Sequence, residues 1–311
     1  MTTATRTLAR AGAPDESAGL TPRRRVIAAV VLGVALVVIW EGVKWLGGDP
    51  WRIHGPVLGL QVDYEHTPPF SWRIADDLSL PHIWSVVTAF VEPAQRDGPP
   101  LFLILAGKAL FTFRESVTGF ILGGFLGLGL GILFVHSRLA ERALVPYVVA
   151  SQTVPILAIS PIIVVAIKAD WLSVALVSAY LTFFPVTIAA LRGLRAYDPR
   201  ALELMRSYAA SRWAILRKLR LPAARPYLFT GFRIAAPAAV VGSIVGELPS
   251  LIQDGLARQI ITGMQYYSLN AEYLWATIVA SSVLGIGVYL LVAGAENWVM
   301  RHERRPDAAV A

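Results

Sequence analysis

The chain has no cysteine in its 311 residues, so disulfides, thiolate metal sites and cysteine nucleophiles are all excluded. Charge is also scarce. Asp, Glu, Lys and Arg make up 16% of the residues against 55% hydrophobic, and the mean hydropathy of +0.56 is too high for a soluble domain of this length. There is no phosphate loop: Gly107-Lys108 is followed by Ala109 and lacks the earlier glycine of G-x-x-x-x-G-K-[ST]. The chain is therefore not expected to hydrolyse ATP by itself. The five histidines (His54, His66, His82, His136, His302) include no pair four apart on a helix, and no catalytic or metal constellation follows from them. Glu65-His66 and Asp76-Asp77 leave two readings open, a cation site or an ordinary solvated loop.

What the chain does have is long apolar runs. Crossing the hydrocarbon core of about 30 Å takes about 20 apolar residues, and six stretches qualify: 26–46, 113–135, 144–167, 171–191, 227–248 and 273–298. The run 101–111 follows Pro99-Pro100 and is too short to cross, so it reads as an interfacial helix leading into the second span. The fold class expected is all-α and polytopic, with about six transmembrane helices. The chain then divides into a disordered N-terminus 1–22, a first transmembrane helix 23–46, an external segment 47–100, a core 101–301 with a loop 192–226, and a tail 302–311.

Orientation follows from basic residues, which resist translocation. Arg23, Arg24 and Arg25, then Arg138 and Arg142, then the tail Arg301, Arg304 and Arg305 mark one side. The loop between the fourth and fifth spans holds Arg192, Arg195, Arg200, Arg206, Arg212, Arg217, Lys218, Arg220 and Arg225 against Asp198 and Glu203. Both termini and this loop are expected in the cytoplasm. The formal charge of +7 is thus parcelled into loops, which points to membrane topology and lipid rather than nucleic acid.

Within that loop, 203–222 reads ELMRSYAASRWAILRKLRLP. Asp198 suits an N-cap and Pro199 the first helical position. Ser211 can cap a second short helix, which Leu221-Pro222 should close. The result is a helical elbow on the membrane surface. Its residues resemble the cytoplasmic loop of permease subunits of bacterial ABC importers: E-A-A, three residues, G, nine residues, I-x-L-P. Glu203, Leu204, Met205, Ala209, Leu219, Leu221 and Pro222 stand at those positions with the spacing kept. Leu204 and Met205 replace both alanines and Ala209 the glycine. With alanine there, a helical connection is expected at 209 rather than a tight left-handed bend. Gly231-Phe232-Arg233-Ile234-Ala235, and Gly246-Glu247-Leu248 followed by Gly255-Leu256, resemble the nitrate, sulfonate and taurine importer group.

The resemblance implies a type I ABC importer permease in a bacterial inner membrane, its loop acting as a coupling helix docked on a separate ATPase subunit. It implies two ATPase subunits per transporter binding the ATP, a second permease copy or paralogue, and an external solute-binding protein. The solute would be small and polar or anionic: nitrate-, sulfonate- or taurine-like, or a thiamine-precursor- or riboflavin-like compound. No cofactor is expected in this chain.

Polar residues within spans usually face the bundle interior. Gln152, Thr153, Ser160, Ser243 and Glu247 are the candidates for lining a path, Glu247 also reading as an interfacial carboxylate near a span end. Gly119, Gly123, Gly127 and Gly131 share one helix face and fit either a sliding surface or static packing. Pro155, Pro161 and Pro185 permit bends. The alternative class is an ion-gradient-driven secondary transporter, which would show ionisable groups near mid-bilayer. Mid-span charge is nearly absent.

Overall fold

The computed structural model describes residues 22–57, 60–94, 98–168, 171–250 and 252–301. The expected disordered stretch 1–22, apart from Pro22, and the tail 302–311 lie outside the described residues. The chain divides into two units, 1–83 and 84–311.

The first unit starts with α1 (Pro22–Gly47), the first apolar span. An antiparallel hairpin follows, β1 (Trp51–Val57) and β2 (Leu60–His66), with Trp51 opposite His66 and Val57 opposite Leu60. Gly55 and Pro56 inside β1 hide it from a sequence reading. The last turns of α1 are clamped to the segment that ends the unit. Lys44 is fully buried, and its ammonium donates to Asp77 (2.5 Å), the Leu80 carbonyl (2.7 Å) and the Ala75 carbonyl (3.3 Å). Three acceptors for three donors make that burial tolerable. One turn earlier, Glu41 accepts from the Ile83 amide (2.8 Å) and meets His82 Nδ1 (2.9 Å), while Trp40 donates to the Pro81 carbonyl (3.0 Å). Asp77, which the sequence leaves open as a cation ligand or a solvated acid, is thus the half-exposed partner of a buried lysine.

The second unit is a helical bundle. After α2 (Ile83–Val91), α3 (Leu101–His136) runs unbroken for 36 residues, about 54 Å at 1.5 Å per residue. This corrects the expected interfacial helix 101–111. Nothing between Phe111 and Phe113 stops a helix, and Leu101 and Leu105 pack with Leu256 and Ala276. The expected span 144–167 is also corrected. It is broken into α4 (Arg138–Ala150), a 3₁₀ turn (Ser151–Thr153) and α5 (Ile156–Ala166), bent by 101°. Pro155 has no amide to continue the ladder and holds Val154 extended at φ −81°, ψ 123°. Pro161 and Pro185 lie inside α5 and α6 without ending them.

The chain continues through α6 (Trp171–Gly193), α7 (Pro199–Ser207) and α8 (Arg212–Ile215). A π-helical turn (Leu216–Arg220) leads directly into α9 (Leu221–Glu247). Leu221-Pro222 therefore does not close the second elbow helix, as the sequence predicts. The Leu221 amide reaches back five residues to Leu216, and Pro222 falls in the first turn of α9, where proline is tolerated. Then come α10 (Leu256–Gln265) and α11 (Ala271–Met300). Among the described residues, five helical stretches are long and apolar enough to span a membrane, or six if the bent α4–α5 pair is one span.

The core of the bundle is α3, α6 and α9. A Cβ on Gly123 would lie 2.5 Å from the Ala179 carbonyl, and one on Gly127 2.6 Å from that of Phe183. The glycine face of α3 is thus pressed against the backbone of α6. A Cβ on Gly193, at the end of α6, would lie 2.8 Å from Tyr227 Cβ and 3.0 Å from Ala224 Cα in α9.

His82 gives a pH test of the first unit. Only 12% of its side chain is exposed. Burial holds its pKa below the ordinary 6.5, with the Lys44 charge assisting and the bond to Glu41 opposing. The fold favours the neutral ring, so this contribution is present above pH 6.5 and lost as pH falls through the lowered value. Hydrogen exchange in 75–83 should accelerate on acidification from pH 7.5 to about 5, and His82→Gln should flatten that dependence.

Candidate functional site

Two constellations stand out, one at each end of the α3–α6–α9 core. At the end where α6 passes to α9, the elbow is built by its caps. Asp198 accepts from the Arg200 amide (2.9 Å), and Pro199 opens α7. Leu202 points inward, while Glu203, Leu204 and Tyr208 are exposed, Tyr208 by 79%. Ala209 then takes a left-handed φ of 51°. Its amide donates to Arg206 (2.9 Å) and that of Ala210 to Met205 (3.0 Å), the paired bonds of a Schellman motif. This corrects the expectation of a helical connection: the bend survives the loss of glycine. Two backbone bonds fix it against the roughly 1–2 kcal/mol that a left-handed residue with a Cβ costs. Ser211 caps α8 by accepting from Ala214 (3.2 Å).

The elbow is held rigidly. Ile215 and Leu216 are buried, and Leu216 packs with Ala190 and Leu194 of the α6 end and with Ala224 and Leu228 of α9. Leu219, Leu221 and Pro222 are half-buried along the same continuous rod. Arg220 stacks over Tyr197 at 5.1 Å, and Arg195 pairs with Glu141 of α4 at 2.6 Å. The motif residues therefore split in two: Glu203, Leu204 and Ala209 face out, and 215–222 form the root.

At the other end, buried polar groups knit α3, α9 and α10. Thr112, Glu115, Ser116, Ser243 and Glu247 are all at most 2% exposed. The Thr112 hydroxyl donates to Glu247 Oε1 (2.6 Å) and accepts from the Leu256 amide (3.0 Å). Glu247 Oε2 accepts from the Ala257 amide (2.8 Å). Ser116 lies 3.0 Å from Ser243. Glu247 is thus the anchor of the α10 N-terminus, where a carboxylate satisfies free amides. Gly255 is required beside it, because a Cβ there would overlap the Glu247 carboxyl.

Of the residues proposed for a path, the structure places Ser243 and Glu247 on one face of α9. Gln152 and Thr153 sit exposed in the α4–α5 break, Thr153 donating to the Ala150 carbonyl (2.7 Å). Ser160 is buried in α5 without a hydrogen-bond partner among the described residues. Sequence reasoning missed Thr112, Glu115 and Ser116, although a polar stripe at i, i+3 and i+4 within an apolar run was a usable signal. It also missed a charged pair within spans, Arg233 of α9 with Glu296 of α11 at 2.6 Å; both residues were in plain view in the sequence. A cleft of about 560 Å³ lies between α10 and α11, lined by Arg258, Gln259, Thr262, Tyr266 and Tyr273. The amphipathic run 256–265 was its signal.

Apolar helices around a polar seam, with a broken helix pair and a rigid elbow, define a membrane transport permease of the type I ABC importer fold. Residues 98–301 match the family described as binding-protein-dependent transport system inner membrane component, and the chain belongs to it. It is 33% identical over 265 residues to the formylaminopyrimidine transport permease protein ThiX of Halalkalibacterium halodurans, covering 84% of this chain and 90% of that one. It is 32% identical over 187 residues to SsuC, a permease named for aliphatic sulfonate transport in Bacillus subtilis (strain 168), covering 59% of this chain and 67% of that one. In fold it is similar to a chain of the MetNI methionine ABC transporter in inward-facing conformations, at 20% identity and a TM-score of 0.54, covering 67% of this chain and 99% of that one.

Gly255→Ala should destabilise the protein by roughly 1–3 kcal/mol through overpacking against Glu247. Gly107→Ala, where nothing beyond its own helix backbone lies within 4 Å of the added Cβ, should instead be neutral or stabilising by up to about 1 kcal/mol, because alanine is the better helix former. Thermal unfolding in detergent reads the difference.

Proposed function

We propose that this permease carries a small polar or anionic organic solute inward, driven by two separate ATPase subunits that dock on the α7–α8 elbow from the cytoplasm. The observation that carries this reading is the elbow itself. It exposes Glu203, Leu204 and Tyr208 beyond a root packed into both α6 and α9. A push on α7 is therefore delivered to two spans at once. Glu203 pairs with a basic residue of the ATPase, and closure of the two ATPases on ATP drives the paired elbows together. Hydrolysis belongs to those subunits. A second permease copy or paralogue supplies the other elbow, and both termini of this chain face the cytoplasm.

An external binding protein delivers the solute to the end of the bundle where α10 lies. Arg258, Gln259 and Tyr266 in the cleft there suit a solute with hydrogen-bonding edges, a flat ring or an anionic group. The path continues past Ser243 and Glu247 toward Ser160 and the exposed Gln152 and Thr153. One relative is named for formylaminopyrimidine transport and another for aliphatic sulfonates transport, which supports that solute class.

Losing one partner of a close interfacial charge pair costs roughly 2–5 kcal/mol. Glu203→Arg should therefore weaken ATPase docking by more than about tenfold and uncouple hydrolysis from transport, with insertion unchanged. A reconstituted Glu203→Arg protein that pumps like the parent would contradict the assignment. Ala209→Pro, which imposes a φ near −65° and removes the amide bound to Arg206, should abolish copurification of the ATPase. Ala209→Gly should preserve it. Calorimetric screening of the cognate binding protein against aminopyrimidines and sulfonates tests the solute class.

A further inference from the structure

Beside the elbow lies a cleft of about 750 Å³ whose chemistry the coupling role does not use. Its lining includes Arg138 and Arg142 from the first turns of α4, Arg195 from the segment after α6, Arg206 from α7, and Arg220 from the π-helical turn. Glu141 is the only carboxylate lining it among the described residues, and that carboxylate is taken by Arg195. Arg220 is further held over the Tyr197 ring. Five guanidinium groups from four separate segments thus converge on one space with a single counter-charge. Five cations around one carboxylate repel one another, and an anion entering the cleft relieves that repulsion.

We propose that this cleft binds a phosphate-bearing anion, held by guanidinium forks that match phosphate oxygens two at a time. The other wall is apolar, formed by Val135, Val145 and Pro146. A phospholipid headgroup, with its chains against that apolar wall, satisfies both walls. A free phosphate satisfies the basic one alone. Because the arginines come from α4, the α6–α7 segment, α7 and the root of α9, a bound anion ties the broken helix pair to the elbow. This site is independent of the solute.

The test uses the full chain, delipidated in neutral detergent. Native mass spectrometry and thermal unfolding are followed during titration with phosphatidylglycerol, phosphatidylcholine and inorganic phosphate. Phosphatidylglycerol is expected to bind about tenfold more tightly than phosphatidylcholine and to raise the unfolding temperature. R138Q/R142Q should remove that preference. Glu141→Gln, which frees Arg195 and keeps every cation, should strengthen it. Binding of inorganic phosphate without discrimination between the two lipids assigns the cleft to a soluble phosphate compound, and the site stands. If neither phosphatidylglycerol nor phosphate is preferred by the parent protein, the proposal fails. It also fails if Glu141→Gln leaves both affinities unchanged, a readout that does not depend on the double variant folding.

Discussion

Inside a bilayer two helices gain no hydrophobic free energy by meeting, because lipid tails solvate leucine as well as another helix does. Association then rests on van der Waals contact and on polar groups finding one another. The close approach of α3 to α6 is where this protein meets that constraint. Gly123 and Gly127 bring the backbone of one helix onto the carbonyls of the next, and no side chain larger than hydrogen fits between them. Everything functional is referred to that contact. The elbow hangs from the end of α6 and the start of α9, and the polar seam forms where α3 meets α9 further along.

The same constraint explains why Glu247 and its neighbours in the seam are hydrogen-bonded. Glu247 meets Thr112 and an amide of α10, and Ser116 meets Ser243. Each bond made here replaces one that water would supply in a soluble protein, and a polar group left without one costs roughly 1–3 kcal/mol. The seam consequently fixes where α10 begins and so shapes the cleft beside it. Arg233 and Glu296 do similar work between α9 and α11.

Much of this was legible in the residues. Long apolar runs announced the spans, and Asp198, Pro199 and Ser211 the two elbow helices, each through a local rule that needs no neighbour. Where reading failed, a distant or compensating interaction had intervened. Residues 101–111 are too short to span alone but join 113–135 because no breaker separates them. The run 144–167 is long enough to cross but is cut at Pro155, whose effect on Val154 outweighs its apolar surroundings. Ala209 lacks the freedom of glycine and bends anyway, because the amides of Ala209 and Ala210 close on Arg206 and Met205.

The sequence alone determined that this chain lives in lipid, where its long apolar runs lie, and where a charged elbow interrupts them, since hydropathy, capping and proline act within a few residues. Only the tertiary structure decided what Glu247 does, which face of α3 is pressed to α6, and that arginines scattered from 138 to 220 share one cleft. Those facts depend on distances between residues far apart in the chain, and local chemistry holds no record of them until the helices pack.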